Sequence, residues 1–278
     1  MKKIILIASL CAFAAAGIFA NDSFTPAGSV SSYTKTTYNV TSKFGEYFRS
    51  VAVKDVHVFN SSGLETEVAY YYGKDELGDK VTFTYDVSRN LTGATYTDAA
   101  GAVVTKVTRE YQSDGMIKSE SEFNAAGVLT GKTIYKYEPS KSTESYYDEK
   151  GALLSRNITT YTADGKVSQI DSYFADGTLS NKKTFTYGEN GKLSQIETSD
   201  EANKVTAKEV YRYDGNGSIS EVQTYNSINA LVQRNIYKTD AKGNPVKISV
   251  YEVSEKFGST VNELLSITEY VYKYDSGK

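Results

Sequence analysis

The residue types that most often carry out chemistry are scarce in this chain. His57 is the single histidine and Cys11 the single cysteine among 278 residues. His57 lies in the alternating run 51–59, without the second histidine or the cysteine that a catalytic triad or a tight zinc site requires. We therefore interpret His57 as an ordinary strand residue. The sequence also lacks a glycine-rich phosphate loop, an HExxH motif and a GxSxG motif.

Aspartate–glycine pairs are the second candidate for chemistry, as in "DGNG" at residues 214–217 and "ADG" at 175–177. They lack the spaced acidic ligands and the terminal glutamate of a calcium loop, and turn formation explains them. The remaining carboxylates form no recurring pair of the kind a glycosidase uses. The sequence thus predicts no catalytic, cofactor-binding or metal-ligating residue, and we expect a protein that is not an enzyme. An enzyme whose site the sequence does not reveal is the third alternative.

Composition limits the partners. The chain has 31 Lys+Arg against 34 Asp+Glu, so no basic surface for nucleic acid is expected. Tyrosine is abundant at 24 residues, with 11 Phe and no Trp. Aromatic side chains therefore dominate the candidates for both core and binding surface.

The first residues predict export. Lys2 and Lys3 precede an apolar run at 4–19, and Ala20 stands before a polar start, which is typical of a signal peptide over residues 1–20. An uncleaved anchor and lipid attachment at Cys11 are alternatives; bulky Leu10 disfavours the second. After cleavage we expect no transmembrane span and a flexible leader at 21–32. The predicted location is the periplasm, the cell surface or the medium.

An internal repeat of 26 residues organises most of the chain. The spacing is constant in one set of turn residues, Gly165, Gly191, Gly217 and Gly243. Copies begin at Asp75, Gly101, Gly127, Gly151, Gly177, Asn203 and Asn229, with one step two residues short, at the turn 138–141. The array is predicted over 75–254, after irregular strands or a cap at 33–74. A loop and a terminal half-repeat are predicted at 255–278.

The repeat unit reads as two strands and two tight turns. Segments such as 183–187 alternate aromatic and polar residues with a period of two, and Asp/Asn–Gly turns separate them. The predicted fold is all-β: an antiparallel meander of tandem 26-residue repeats forming a long twisted or curling sheet. With a three-residue loop at each turn, Tyr187 faces Leu193, Leu193 faces Tyr211, and Tyr173 faces Leu179. All aromatic columns then share one face, and a narrower stripe that includes Val210 and Ile196 lies on the other.

An outer-membrane barrel is an alternative architecture for an exported, tyrosine-rich antiparallel protein. Its lipid-facing side needs an uninterrupted apolar alternation. Lys182, Lys183, Lys208 and Glu209 interrupt both sides of the strands. The sequence analysis therefore rejects a barrel.

Two families are similar to these repeats. "YRYDGNG" at 211–217 resembles the YD repeats of bacterial Rhs-like proteins, and "YFADGTL" at 173–179 resembles bacterial MORN-like tandem repeats. The resemblance covers about residues 75–254 and implies a long antiparallel sheet that can curl. The Tyr–Asp pair is kept only at 85–86, 147–148, 213–214 and 274–275. The chain is also too short for the cargo-holding shell of Rhs proteins.

The tyrosine columns have two interpretations. They form a structural ladder that closes the main face of the sheet, or an exposed surface that binds protein or glycan. The candidate binding residues are Tyr161, Tyr173, Tyr187, Tyr211, Tyr213 and Tyr225. We expect an adhesin-like bacterial scaffold that binds a protein or glycan at the envelope or on a host surface. The alternative is a structural envelope protein that self-associates.

Overall fold

The computed structural model describes residues 24–73, 75–256 and 258–275. The predicted signal peptide, with Cys11, lies outside these residues. The described residues form 18 strands. They are β1 Val30–Lys43, β2 Glu46–Phe59, β3 Glu65–Tyr72, β4 Glu76–Tyr85, β5 Leu91–Thr97, β6 Val103–Tyr111, β7 Ile117–Asn124, β8 Leu129–Glu138, β9 Lys141–Asp148, β10 Leu153–Tyr161, β11 Val167–Phe174, β12 Leu179–Tyr187, β13 Leu193–Ser199, β14 Val205–Tyr213, β15 Ile219–Asn226, β16 Leu231–Thr239, β17 Pro245–Lys256 and β18 Ser259–Tyr274.

The sheet closes into a β-barrel. Each strand pairs antiparallel with the next, and β1 pairs with both β2 and β18. The closing pair runs from Val30 opposite Tyr274 to Asn39 opposite Ser266. The antiparallel meander is confirmed, whereas the open or curling sheet and the rejection of a barrel are wrong. Closure gives the first and last strands a partner, which removes the exposed edges that a long open sheet would carry.

The turns explain the glycine columns. In the turn at 98–102, Gly101 N donates to Asp98 O, and Asp98 N donates to Ala102 O. Gly101 has φ of 83°, a conformation that costs glycine little. Asn203 takes the same place in its repeat with φ of 58°, as asparagine tolerates best among larger residues. The predicted positive φ at the end of each hairpin loop is confirmed at these positions.

The two ends of the array differ from the predicted boundaries. β1 begins at Val30, inside the predicted leader, and the ring of Phe24 packs edge-on against Tyr33 at 5.8 Å. The predicted cap at 33–74 forms β1, β2 and β3 of the same barrel. The predicted loop after 254 is instead a long hairpin, in which Lys256 pairs with Ser259. Val253, Thr260 and Val261 in this hairpin are residue types that favour strands.

The barrel is a single wall around a wide interior. Strands about 4.8 Å apart and tilted by roughly 40° give 18 strands a perimeter of about 113 Å, or a diameter of about 36 Å for a circular section. In the described part of the chain, close backbone contacts between strands join only neighbours around the ring. Barrels of this strand number leave an aqueous interior. No helix among the described residues is long and apolar enough to cross a membrane.

Candidate functional site

One side of the wall is consistently more buried than the other. On β8, Thr133 and Tyr135 are buried, whereas Ile134 and Lys136 are exposed. Glu120 pairs with Thr133 and is only 3% exposed. When the strand pairing is followed around the sheet, the buried Asp55 faces the same side. Side chains converge on the concave side of a closed sheet, so we assign the buried side as the inner side.

The outer side is polar. It carries a charged residue near the middle of many strands, including Lys80, Lys106, Lys132, Lys182, Lys208 and Arg234. A lipid-facing wall needs an apolar band in this place. Of the four charges that led the sequence analysis away from a barrel, Lys182 and Lys208 lie on this outer side, whereas Lys183 and Glu209 lie on the inner side.

The six candidate tyrosines divide between the two sides. Tyr161, Tyr187, Tyr211 and Tyr213 face inward. Tyr173 and Tyr225 face outward and lie under cations, with Arg156 5.1 Å from the ring of Tyr173 and Lys208 4.6 Å from that of Tyr225. The expectation that all columns share one face is wrong.

The cause is a one-residue register shift in most hairpins. Tyr187 faces Leu193 and Tyr173 faces Leu179, as predicted, but the register shifts next to each pair. An extra residue moves the following side chains to the opposite side of the sheet. Leu193 consequently does not pair with Tyr211.

The same shifts split the narrower apolar stripe. Val210 stays on the outer side, whereas Ile196 turns inward and packs in a core cluster with Phe185, Tyr211 and Val222. The predicted second stripe is therefore not one surface. Its inward members contribute to the core instead.

Four inward tyrosines clamp the barrel end at which Val30 and Tyr274 lie, which we call the terminal end. Each hydroxyl donates to a backbone carbonyl 20 residues earlier, on the preceding strand. The pairs are Tyr85 to Glu65 at 2.6 Å, and Tyr111 to Leu91, Tyr187 to Val167 and Tyr213 to Leu193 at 2.7 Å. These contacts favour the structural-ladder interpretation for those tyrosines.

Charged groups line part of the inner side. Arg109 Nε lies 2.5 Å from Glu120 Oε2, and His57 Nδ1 lies 2.5 Å from Glu65 Oε1 while its ring stacks on Tyr33 at 4.2 Å. Burial raises the pKa of Glu144, against the opposing hydrogen bond from Tyr146. Among the described residues, no three His, Cys, Asp or Glu side chains are grouped to hold a metal ion.

The opposite end carries a feature that sequence reasoning missed. Two long hairpins, β1–β2 and β17–β18, extend past their neighbours there, at residues 40–53 and 253–265. We call this the extended end. β3 pairs with β2 only from Lys54 onward, so the described residues place no strand on the outer edge of 46–53. This segment is the longest unpaired strand edge in the described barrel.

Apolar side chains accompany the free edge. Tyr47 is 62% exposed, Phe48 51%, and Phe44 at the hairpin tip fully exposed. Exposed apolar residues continue around the extended end at Tyr72, Leu77, Val103, Val104, Val128, Leu154, Phe174 and Ile228. The run "KFGEYFRSV" at 43–51 was the available signal, because one aromatic residue lies in the two-residue turn and two follow it.

Comparisons with known proteins give similarity in shape only. No protein-family model and no curated protein matches the chain. A porin-like protein from Bacteroides uniformis is 12% identical, with 88% of this chain and 98% of that chain covered and a TM-score of 0.49.

Two further solved structures overlap in part. The TcdB2-TccC3-TEV structure is 13% identical over 81% of this chain at a TM-score of 0.23, and this chain spans 16% of its length. TarM is 20% identical over 36% of this chain at a TM-score of 0.19, with 20% of its own length covered. All three TM-scores are below 0.5. The fold assignment therefore rests on the strand pairing itself.

Proposed function

We propose that this protein is an exported binding scaffold, not an enzyme, that captures an extended polypeptide by strand addition at residues 46–53 of β2. The single observation that supports this is the free edge itself. A closed barrel satisfies strand edges around its circumference, yet eight residues here keep an edge to which a further strand can pair. Main-chain hydrogen bonds to such an edge provide affinity, and the side chains beside it provide selectivity.

The side chains at this edge suit a polypeptide. Tyr47 and Phe48 lie on opposite faces of the extension and offer large, partly exposed rings to the side chains of an added strand. Phe44 has φ of 55°, where asparagine or glycine is preferred in a two-residue turn. A bulky residue in that conformation costs stability, and such outliers motivate a functional explanation. The sequence repeats Lys-Phe-Gly at 256–258.

Export and an adhesin-like role at the bacterial surface are part of the same proposal. Export is supported by Lys2, Lys3 and the apolar run at 4–19 before Ala20. N-terminal sequencing of the secreted or periplasmic protein should find Asn21 first. A mature chain that begins with a lipid-modified Cys11 would contradict this part.

A library of random displayed dodecapeptides tests strand addition. We expect selected peptides to slow amide hydrogen exchange over 46–53, and Phe48→Lys to weaken their binding at least tenfold, because edge lysines block strand pairing. Phe174→Lys is the matched control, since Phe174 is 56% exposed at the same end but away from the edge. Equal losses in both variants, or protection that appears elsewhere, would contradict the proposal.

Self-association is the second candidate, and the charges on the edge favour it. In the antiparallel register centred between Tyr47 and Phe48, two copies bring Glu46 of each opposite Arg49 of the other, where it would compete with Glu269, the present partner of Arg49 at 3.1 Å. Light scattering of the purified protein distinguishes the two functions. A stable dimer that Phe48→Lys dissolves would support the self-associating envelope protein over peptide capture.

A further inference from the structure

The terminal end is interrupted at one place, the β8–β9 hairpin. Glu138 pairs directly with Lys141 across a two-residue turn of Pro139 and Ser140. The neighbouring turns are longer, since Gly115 N donates to Gln112 O on one side and Gly165 N donates to Thr162 O on the other. The two residues missing from the 26-residue period therefore leave a notch in this end.

The notch opens a cleft of about 520 Å³, within the range of small-molecule sites. Its lining is formed by Met116, Tyr137, Glu138, Pro139, Lys141 and Tyr161. The cleft lies directly beside the short turn, since Pro139 and the paired Glu138 and Lys141 all line it.

The hydrogen bond from an inward tyrosine hydroxyl to a backbone carbonyl is missing at the same place. Of the six tyrosines in this column, four donate to a carbonyl 20 residues earlier. The two exceptions are the two that line the cleft. Tyr161 instead shares a hydrogen bond with Ser142 Oγ at 2.9 Å, and the Tyr137 hydroxyl makes no hydrogen bond among the described residues. Burial raises the pKa of Tyr137, so its hydroxyl stays a neutral donor at physiological pH.

We infer that the notch is a binding site for a neutral saccharide. Two phenol rings, Met116 and Pro139 offer apolar surface to the C–H faces of a pyranose. The Tyr137 hydroxyl offers a donor and an acceptor to its hydroxyls from the inner side, and the paired Glu138 and Lys141 supply charged groups at the outer rim of the cleft. A fully apolar ligand would bury the Tyr137 hydroxyl without a partner, which is costly. A charged ligand would meet both signs at once. This site is independent of the strand edge, which lies at the opposite end.

Saturation-transfer NMR with three neutral trisaccharides, cellotriose, maltotriose and chitotriose, tests the inference. We expect transfer to at least one of them. Tyr137→Phe removes only the unused hydroxyl and should weaken binding about three- to tenfold, the value of one net hydrogen bond. Tyr213→Phe is the matched control, because its hydroxyl is already bonded to Leu193 and its removal should leave affinity unchanged.

A second variant fills the notch. Inserting Asp-Gly between Pro139 and Ser140 restores the length of the turn, and the folded variant should show no transfer. Absence of transfer with all three sugars would overturn the inference. So would unchanged binding in both Tyr137→Phe and the insertion, or saturation by the tripeptide Ala-Tyr-Ala where no sugar binds.

Discussion

The side chain of Asn244 and the backbone of Ala27 exchange two hydrogen bonds across the seam of the barrel. Ala27 N donates to Asn244 Oδ1 at 2.6 Å, and Asn244 Nδ2 donates to Ala27 O at 3.0 Å. Asn244 is fully buried and also donates to the Tyr274 hydroxyl at 3.1 Å. One side chain thus joins the chain before β1, the β16–β17 turn and the end of β18.

Asn244→Ala should lower the free energy of unfolding by about 2 kcal/mol, because it leaves the Ala27 N–H and C=O without partners. Urea denaturation followed by circular dichroism measures the change. Ser218 holds the same turn position one repeat earlier. Ser218→Ala should therefore cost less than about 0.5 kcal/mol. Similar losses in the two variants would show that the seam does not depend on Asn244.

Inward tyrosines should contribute through both the ring and the hydroxyl. We expect Tyr187→Ala to cost on the order of 3 kcal/mol and Tyr187→Phe about 1 kcal/mol, the latter for the bond to Val167 O. His57, interpreted from the sequence as an ordinary strand residue, is buried and stacked on Tyr33. His57→Ala should therefore cost about as much as Tyr187→Ala. Denaturant midpoints of the three variants test the order.

Glu144 should make stability depend on pH. Burial raises its pKa above the ordinary 4.5, so its contribution is complete below that value and is lost as pH rises through the folded-state pKa. Glu144→Gln should therefore be more stable than the unaltered protein at pH 7 and no more stable at pH 3. Thermal unfolding at both pH values measures this. A variant that gains no stability at pH 7 would contradict it.

Glu110 supplies a control of opposite sign. Hydrogen bonds from Lys118 and Ser119 lower its pKa, so its contribution is present above the ordinary value and is lost as pH falls. Glu110→Gln should reduce stability at pH 7 and have no effect at pH 3. If both variants shift in the same direction, a general effect of charge removal explains the data better than the two local environments.

The hairpins could be predicted because their signals are local. The turn glycines, the alternation and the Tyr187–Leu193 pairing all lie within one or two strands. Closure could not be predicted in this way, because it requires Tyr33 and Tyr272 to pair across almost the whole chain. The twist that accumulates over 18 strands brings β1 and β18 together. The sequence of a single repeat does not determine this total twist.

The sides of the candidate tyrosines were partly missed for a related reason. A one-residue bulge leaves the spacing of the glycines unchanged while it turns Tyr173 and Tyr225 outward. The free edge of β2 was missed because the extra length of β1 and β2 has no counterpart in the repeat. Sequence period thus predicts which residues form strands, and the bulges decide which residues a ligand can reach.

Deleting one repeat should leave a folded, narrower barrel. Residues 177–202 comprise one full period and two strands, so their loss leaves 16 strands with the same alternation at the new junction. Among the described strands, close backbone contacts join only neighbours around the ring, and stability in such arrays is close to a sum of neighbour terms. Solution scattering should show a perimeter about one ninth smaller, with circular dichroism unchanged in shape.

Deleting 177–201 instead moves every following side chain to the opposite side relative to the preceding strand, and should prevent folding. If the two deletions unfold the protein equally, the barrel tolerates only its native strand number, and the repeats are not interchangeable units.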